Sequence, residues 1–333
     1  RKEKEIRQKI GQYIRDHHPE EADAVQHQYG LRIYQQDQKS RFLPVHEELP
    51  ADLNLADTDV VILVHGLDDP GGLWDQTIPV LQEKGFLPIE VTYPNDQAIQ
   101  NSSELVADMF QQLRTMDCQQ LAIVAHSMGG LVCRNLLTHD DLYPSDLSAK
   151  IYPQVTQLIM VGTPNHGSEM ARLRIFSELR DQLTRVWHKE DLSLGALLDG
   201  AGEAGVDLLP GSPFLKELNA RANPERIILR IIAGRISNAD TTVLQNAIRA
   251  LPWESESAAD KVGKSMQSLA NGIGDGCVTI ESASLQGAAS MDIVQADHIG
   301  MLRSFSLKSQ DASADDPYPP AIPLIVKYLK PAE

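Results

Sequence analysis

The 333-residue sequence predicts an α/β protein, with a mostly parallel central sheet and helices on both faces. Three observations predict it. Apolar, β-branched runs such as Val60-Val-Ile-Leu-Val64 are continuous rather than alternating, the mark of strands buried on both faces. Segments of helical spacing lie between these runs, so strand and helix alternate along the chain. One run, Leu121-Ala-Ile-Val-Ala125, passes through His126-Ser127-Met128-Gly129 directly into a helical pattern at Leu131, Val132, Leu136 and Leu137.

The elements follow in chain order. Residues 1–30 are charged and polar, with Ile6, Ile10, Tyr13 and Ile14 at helical spacing, and read as a surface helix. Leu31–Tyr34 and Arg41–Val45 read as short edge strands. Val60–Val64 and Leu87–Tyr93 read as buried strands. Asn101-Ser-Ser-Glu104 has the form of a capping box, and Leu105, Val106, Met109, Phe110 and Leu113 then share one helical face. Val155–Val161, Ile227–Ala233 and the shorter Met291–Val294 are further strands. Ile322–Leu329 is a closing helix after the Pro-rich turn Pro317-Tyr-Pro-Pro320.

Two segments interrupt the alternation. Residues 166–225 hold no strand-like run, carry Leu173, Phe176, Leu179 and Leu183 at helical spacing, and are too long for a loop. They read as a helical cap, most of whose apolar face packs on the sheet. Residues 235–274 form the second insertion, helical or irregular. The expected organisation is an N-terminal helix with edge strands over 1–50, a core over 51–165 and 226–333, and a cap (lid) insertion over 166–225.

Composition narrows the function classes. A hydrophobic fraction of 42% suffices for a large core. The net charge of −16 argues against nucleic acid as a partner and against electrostatic docking on anionic membranes. None of the three cysteines, Cys118, Cys133 and Cys277, lies in a Cys-x-x-Cys pair, so no zinc site is expected. No stretch approaches the ~20 apolar residues of a membrane-spanning helix. A soluble protein is expected. The chain opens on Arg1 rather than Met, which leaves a removed upstream signal or anchor open. The compartment is then cytoplasmic or, with such a segment, periplasmic or extracellular.

The strand-to-helix turn carries the chemistry. It pushes the Ser127 side chain above the sheet edge and leaves the Met128 N–H at a helix N-terminus, facing any anion that forms there. Small residues at Ala125 and Gly129 let strand and helix approach. The bland alternative is a serine that caps the helix. A serine hydroxyl needs a base, and that base needs an orienting acid. Of ten histidines, His298 follows the Met291–Val294 strand within a few residues and is the expected base. Asp275, bracketed by Gly274 and Gly276, is the expected acid. Asp240 and Asp260 are rivals, whereas Asp297 adjoins His298 in sequence, where side chains rarely face one another. Gly66 allows a sharp turn after Val60–Val64 that aims the Leu67 N–H into the site as the second oxyanion donor, beside Met128. His65 and His126 shape the pocket, Trp74 is a pocket wall or core, and His166 contacts substrate or is structural.

Together, His65-Gly66, Ala125-His-Ser-Met-Gly-Gly130, Gly162-Thr-Pro-Asn-His-Gly-Ser168, Gly274-Asp-Gly276 and Asp297-His298 resemble the α/β-hydrolase fold. Within it they are most similar to bacterial triacylglycerol lipases and to GPI inositol-deacylase-like serine esterases. The resemblance runs from about residue 58 to 304. It implies carboxylic-ester hydrolysis through an acyl-enzyme, with no organic cofactor. Some lipases of this type bind calcium, but no compact loop of alternating carboxylates is present and no metal is expected. The substrate class is a small-molecule or lipid ester, with a lipid interface open as a partner. An acyltransferase, thioesterase or amidase shares the same three side chains. A binding protein on a hydrolase scaffold is the remaining class, and an intact Ser127, Asp275 and His298 argue against it.

Overall fold

The continuous apolar runs form the middle of one eight-stranded sheet. Its strands are β1 (Gly30–Tyr34), β2 (Ser40–Pro44), β3 (Val60–Val64), β4 (Leu87–Thr92), β5 (Gln120–His126), β6 (Gln154–Val161), β7 (Ile228–Arg235) and β8 (Ser290–Gln295). Their spatial order is β2-β1-β4-β3-β5-β6-β7-β8. β1 pairs antiparallel with β2 and β4, and every other neighbouring pair is parallel. The computed structural model describes residues 28–35, 39–45, 53–67, 71–144, 146, 151–168, 170–171, 203–236, 274–304 and 318–330. Residues 1–27 of the helix expected within 1–30, the apolar pattern at Leu173–Leu183, and Asp240 and Asp260 lie outside the described residues, and Gly30 already belongs to β1.

Seven helices are described: α1 (Thr77–Glu83), α2 (Ile99–Thr115), α3 (Met128–Thr138), α4 (Glu203–Asp207), α5 (Pro213–Ala220), α6 (Ile280–Ala283) and α7 (Ala321–Leu329). The absence of polar alternation in the strands has a direct cause, because both faces of the sheet are covered. Val60, Ile62, Val64, Ile123, Ala125, Leu158 and Met160 pack in one core with Met109 and Phe110 of α2 and Leu131 and Val132 of α3. Their strand neighbours Val61, Leu63, Val124, Ile159 and Val161 pack in a second core with Ile78 and Leu81 of α1 and Ile322 and Ile325 of α7. Each fully buried Val, Leu, Ile, Met or Phe side chain among them contributes about 1.5–3 kcal/mol.

The expected capping box does not cap. α2 begins at Ile99, so Asn101–Glu104 already lie inside it. Its first N–H is met from outside, where Asp207 at the end of α4 accepts from Ile99 N at 3.0 Å. Ser103, freed from capping, turns its hydroxyl to the carbonyls of Ile99 and of Val132 in α3. The described part of 166–225 includes α4, packed on α2, and α5, packed on α3. α5 has its own start signal, with Ser212 Oγ accepting from Leu215 N at 3.1 Å and Pro213 in the first turn. Among the described residues, no helix is long and apolar enough to cross a membrane.

Candidate active site

The sheet order sets where a site can form. β4, which follows β3 in the chain, lies on one side of it, and β5 lies on the other. The helices that follow β3 and β5 therefore pack on opposite faces, α1 in one core and α3 in the other. The carboxyl ends of these two strands are thus where the strand order reverses, the general position for ligands in such sheets. Parallel register brings Val64 beside Ala125, His126 beside Val161, and Val161 beside Ile232. The residues just past these positions share one rim.

Ser127 occupies the turn between β5 and α3 at φ 53°, ψ −129°. A non-glycine residue held there costs about 1–3 kcal/mol and persists only where its surroundings impose it. Two backbone bonds do so: Ser127 N–H donates to Val161 O at 2.9 Å, and its carbonyl accepts from Gly130 N at 3.1 Å. Ser127 is the N-cap residue of α3, but its hydroxyl makes no capping hydrogen bond.

Gly66 comes against the turn. A Cβ on Gly66 would stand 2.6 Å from Ser127 Cβ and 3.2 Å from Met128 N, so only glycine fits. The Gly66 carbonyl accepts from His65 Nδ1 at 2.9 Å and from Asn95 Nδ2 at 3.2 Å. Among the described residues no peptide bond is cis, and in a trans peptide the N–H of Leu67 points opposite to the carbonyl of Gly66. His65 and Asn95 thus set the direction of the Leu67 N–H. His65 is itself fixed, stacked on Tyr93 at 4.5 Å, while the Tyr93 hydroxyl donates to His65 O at 2.6 Å.

Asp275 and His298 meet past the ends of β7 and β8. His298 Nδ1 donates to Asp275 Oδ2 at 2.7 Å, and His298 N donates to the Asp275 carbonyl at 3.0 Å. The other carboxylate oxygen, Oδ1, accepts from Cys277 N at 2.8 Å and Val278 N at 2.7 Å. Asp275 is buried and His298 is partly exposed. Burial alone would lower the His298 pKa, but the Asp275 carboxylate outweighs it, aided by Asp297, and raises it. Asp297 does not bond His298. Its Oδ1 accepts from Ile299 N at 3.1 Å and Gly300 N at 2.6 Å and builds the turn.

The pair and the serine share their supports. His126, next to Ser127, bonds His298 O through Nε2 at 2.9 Å, and the two rings lie 4.6 Å apart. The carbonyl acceptor requires the His126 proton on Nε2. Burial, reinforced by His298, pushes the His126 pKa down to about 3, so it stays neutral. Gly162 follows Val161, the partner of Ser127 N, and has φ +60°. A Cβ on Gly162 would lie 3.1 Å from both Asp275 Oδ2 and His298 Nδ1. Ser127 is thus bracketed by two residues that touch the Asp275–His298 pair.

The remaining candidates lie elsewhere. Trp74 is 1% exposed and packs in the core that holds α1 and α7. His166 is exposed, donates its N–H to Ser282 O at 3.1 Å, and lies 3.5 Å from Asn219 of α5. Two features escape sequence reading. Asn95 acts through a strand pairing. Arg134 of α3 is buried and donates to Asn165 Oδ1 and Asn219 Oδ1, both at 3.0 Å. Its signal is a charged residue on the apolar side of a helix.

The family model described as "Domain of unknown function (DUF7379)" matches residues 96–266, slightly more than half of the chain. The chain belongs to this family. The DUF7379 match includes Ser127 and stops short of Asp275 and His298. No curated protein matches the sequence. Among solved structures, the mature lipase BlEst2 of Bacillus licheniformis is similar at 17% identity and a TM-score of 0.55, covering 90% of this chain and 98% of that one. The metagenomic carboxyl esterase MGS0156 is similar at 20% identity and a TM-score of 0.54, covering 86% and 79%. Phospholipase PlaB of Legionella pneumophila is similar at 17% identity and a TM-score of 0.51, covering 83% of this chain and 60% of that one. At these identities the likeness is one of fold. This DUF7379 chain has the α/β-hydrolase fold.

Proposed function

We propose that the chain is a serine hydrolase that cleaves carboxylic esters. The observation that carries this reading is a strained Ser127 whose hydroxyl caps nothing, bracketed by His126 and Gly162 against the Asp275–His298 pair. The structures named lipase, carboxyl esterase and phospholipase that share the fold support the same chemistry.

Each group has one task. With its Nδ1–H held by Asp275, the His298 ring keeps a free lone pair on Nε2. That nitrogen takes the proton as Ser127 Oγ attacks the ester carbonyl. Asp275 remains ionised and stabilises the imidazolium. The Leu67 and Met128 N–H groups hold the oxyanion, and the latter adds the field of the α3 N-terminus. Collapse expels the alcohol, which takes its proton from His298. Water repeats the sequence and frees the acid. No step calls on a metal or an organic cofactor.

A fluorophosphonate probe tests the nucleophile. The protein is expected to label at one serine, and Ser127→Ala to lose labelling together with at least about a thousandfold of p-nitrophenyl ester hydrolysis. Labelling that persists in Ser127→Ala overturns the reading. Esters of increasing acyl length then separate an esterase, which favours short chains, from a lipase, which favours long chains and gains rate at an oil interface.

A further inference from the structure

Cys277 lies two residues past Asp275, in the turn whose N–H groups hold that carboxylate. Ligand atoms of Asp275, Cys277 and His298 all lie within 4.8 Å of one another. Asp275 is buried, while Cys277 and His298 are partly exposed as residues. We propose that these three side chains form an inhibitory site for a thiophilic divalent cation, zinc or cadmium, laid directly across the acid–base pair. The metal-binding part stands on the cluster alone; the inhibitory part rests on the reading of His298 as the base.

The donor set fits such an ion. One imidazole, one thiolate and one carboxylate, with a fourth position left to water, are what zinc accepts in an open site. Magnesium and calcium prefer oxygen ligands and gain nothing from the thiolate. Bond lengths of about 2.0 to 2.3 Å set ligands in a tetrahedron roughly 3.5 Å apart. His298 Nδ1 and Asp275 Oδ2, now 2.7 Å apart, therefore separate by under about 1 Å to admit the ion. Cys277 Sγ closes the third side. Asp275 Oδ1 keeps both of its backbone bonds, so the turn does not open. Burial, then Asp275 and Asp297, hold the Cys277 thiol protonated at rest. The same carboxylates favour an approaching dication, whose charge reverses that balance.

The protons balance simply. At rest the ring proton is on Nδ1 and the lone pair on Nε2. A cation on Nδ1 takes the lone pair there, the ring proton moves to Nε2, and the Cys277 proton leaves to solvent. An Nε2 that already carries a proton accepts none from Ser127, so hydrolysis stops until the ion is removed. No bond to the serine forms or breaks.

The test uses whole protein stripped of metal by chelation. Zinc chloride is titrated against p-nitrophenyl ester hydrolysis, and cobalt(II) chloride serves as the optical probe. Zinc is expected to inhibit reversibly on addition of chelator. Cys277→Ser, measured against its own zinc-free rate, is expected to need on the order of 10-fold more zinc for half inhibition. Cobalt is expected to give a thiolate charge-transfer band in the wild type and in Ser127→Ala, and none in Cys277→Ser or in Cys277→Ala, the second variant should the first fold poorly. Equal zinc sensitivity of wild type and Cys277→Ser, or a wild type without the band, overturns the site. Ester hydrolysis retained by Ser127→Ala overturns the catalytic reading instead, and the band in that variant keeps the two failures apart.

Discussion

His298 carries a pKa raised by the Asp275 carboxylate against the opposing effect of burial. In the proposed reaction His298 is the base, and the sign follows: a raised pKa keeps the imidazole protonated to a higher pH, and a protonated base cannot act. The acid limb of kcat/KM is therefore expected above the ordinary imidazole value of about 6.5. Asp275→Asn removes the main influence opposing burial and leaves only the weaker one of Asp297, so the limb moves downward while kcat falls by about 10⁴-fold. A pH–rate profile of both proteins checks this. Asn95 is a positioning residue. Through the Gly66 carbonyl it orients the Leu67 N–H, which in the proposed reaction is needed only when an oxyanion exists. Asn95→Ala is expected to lower kcat on the order of 10-fold with KM unchanged. Asn95→Asp, which turns an acceptor toward that carbonyl, is expected to lower it further. Steady-state kinetics separates this role from a merely structural one, which would move the thermal midpoint without the kcat-specific loss.

At the scale of elements, α2 shows where local pattern stops being informative. Asn101 and Glu104 have the spacing of a cap, yet the helix starts earlier because a carboxylate 108 residues away meets its first N–H. Asp207→Ala is expected to cost about 0.5–2 kcal/mol, visible as a lower midpoint in thermal melting, whereas Glu104→Ala stays within about 0.5 kcal/mol. The core strands were legible because two-sided burial leaves an unbroken apolar run. Val60–Val64 is delimited identically by pattern and by structure. The Ser127 turn was legible because its small neighbours and abrupt change of period are local. Asp275 stood out by its flanking glycines, one of which, Gly276, does adopt a positive φ. Asn95 was not legible, because its task exists only once β4 lies beside β3 and brings residue 95 to the Gly66 carbonyl. Cys277 was read by sequence spacing alone, which cannot show that residue 298 comes beside it.

For the molecule as a whole, the sheet grades from a dry centre to wet margins. Every residue of β3 is buried, and so is β5 after its first residue, whereas β2 and β8 each bury only one residue fully. Native-state hydrogen exchange is expected to be slowest over 60–64 and 121–126 and fastest, among the strands, over 40–44 and 290–295. Peptide-resolved exchange monitored by mass spectrometry checks the order. Unfolding from the margins would release the loop after β8, and with it residue 298, before the elbow at 127.

Arg134 adds a mechanical consequence. Burial lowers its pKa to about 10, so at neutral pH it is a cation whose two bonded partners are neutral side chains. Asn165 also donates to Ala283 O, and Asn219 donates to Asn165 O. The guanidinium thus acts as a latch between the loop after β6 and helix α5. Displacing α5 means either breaking charge-assisted bonds in a dry interior or dragging residues 163–168 along with it. Any force applied to that helix from outside is transmitted, through three residues of chain, to Gly162 and the rim where the serine stands.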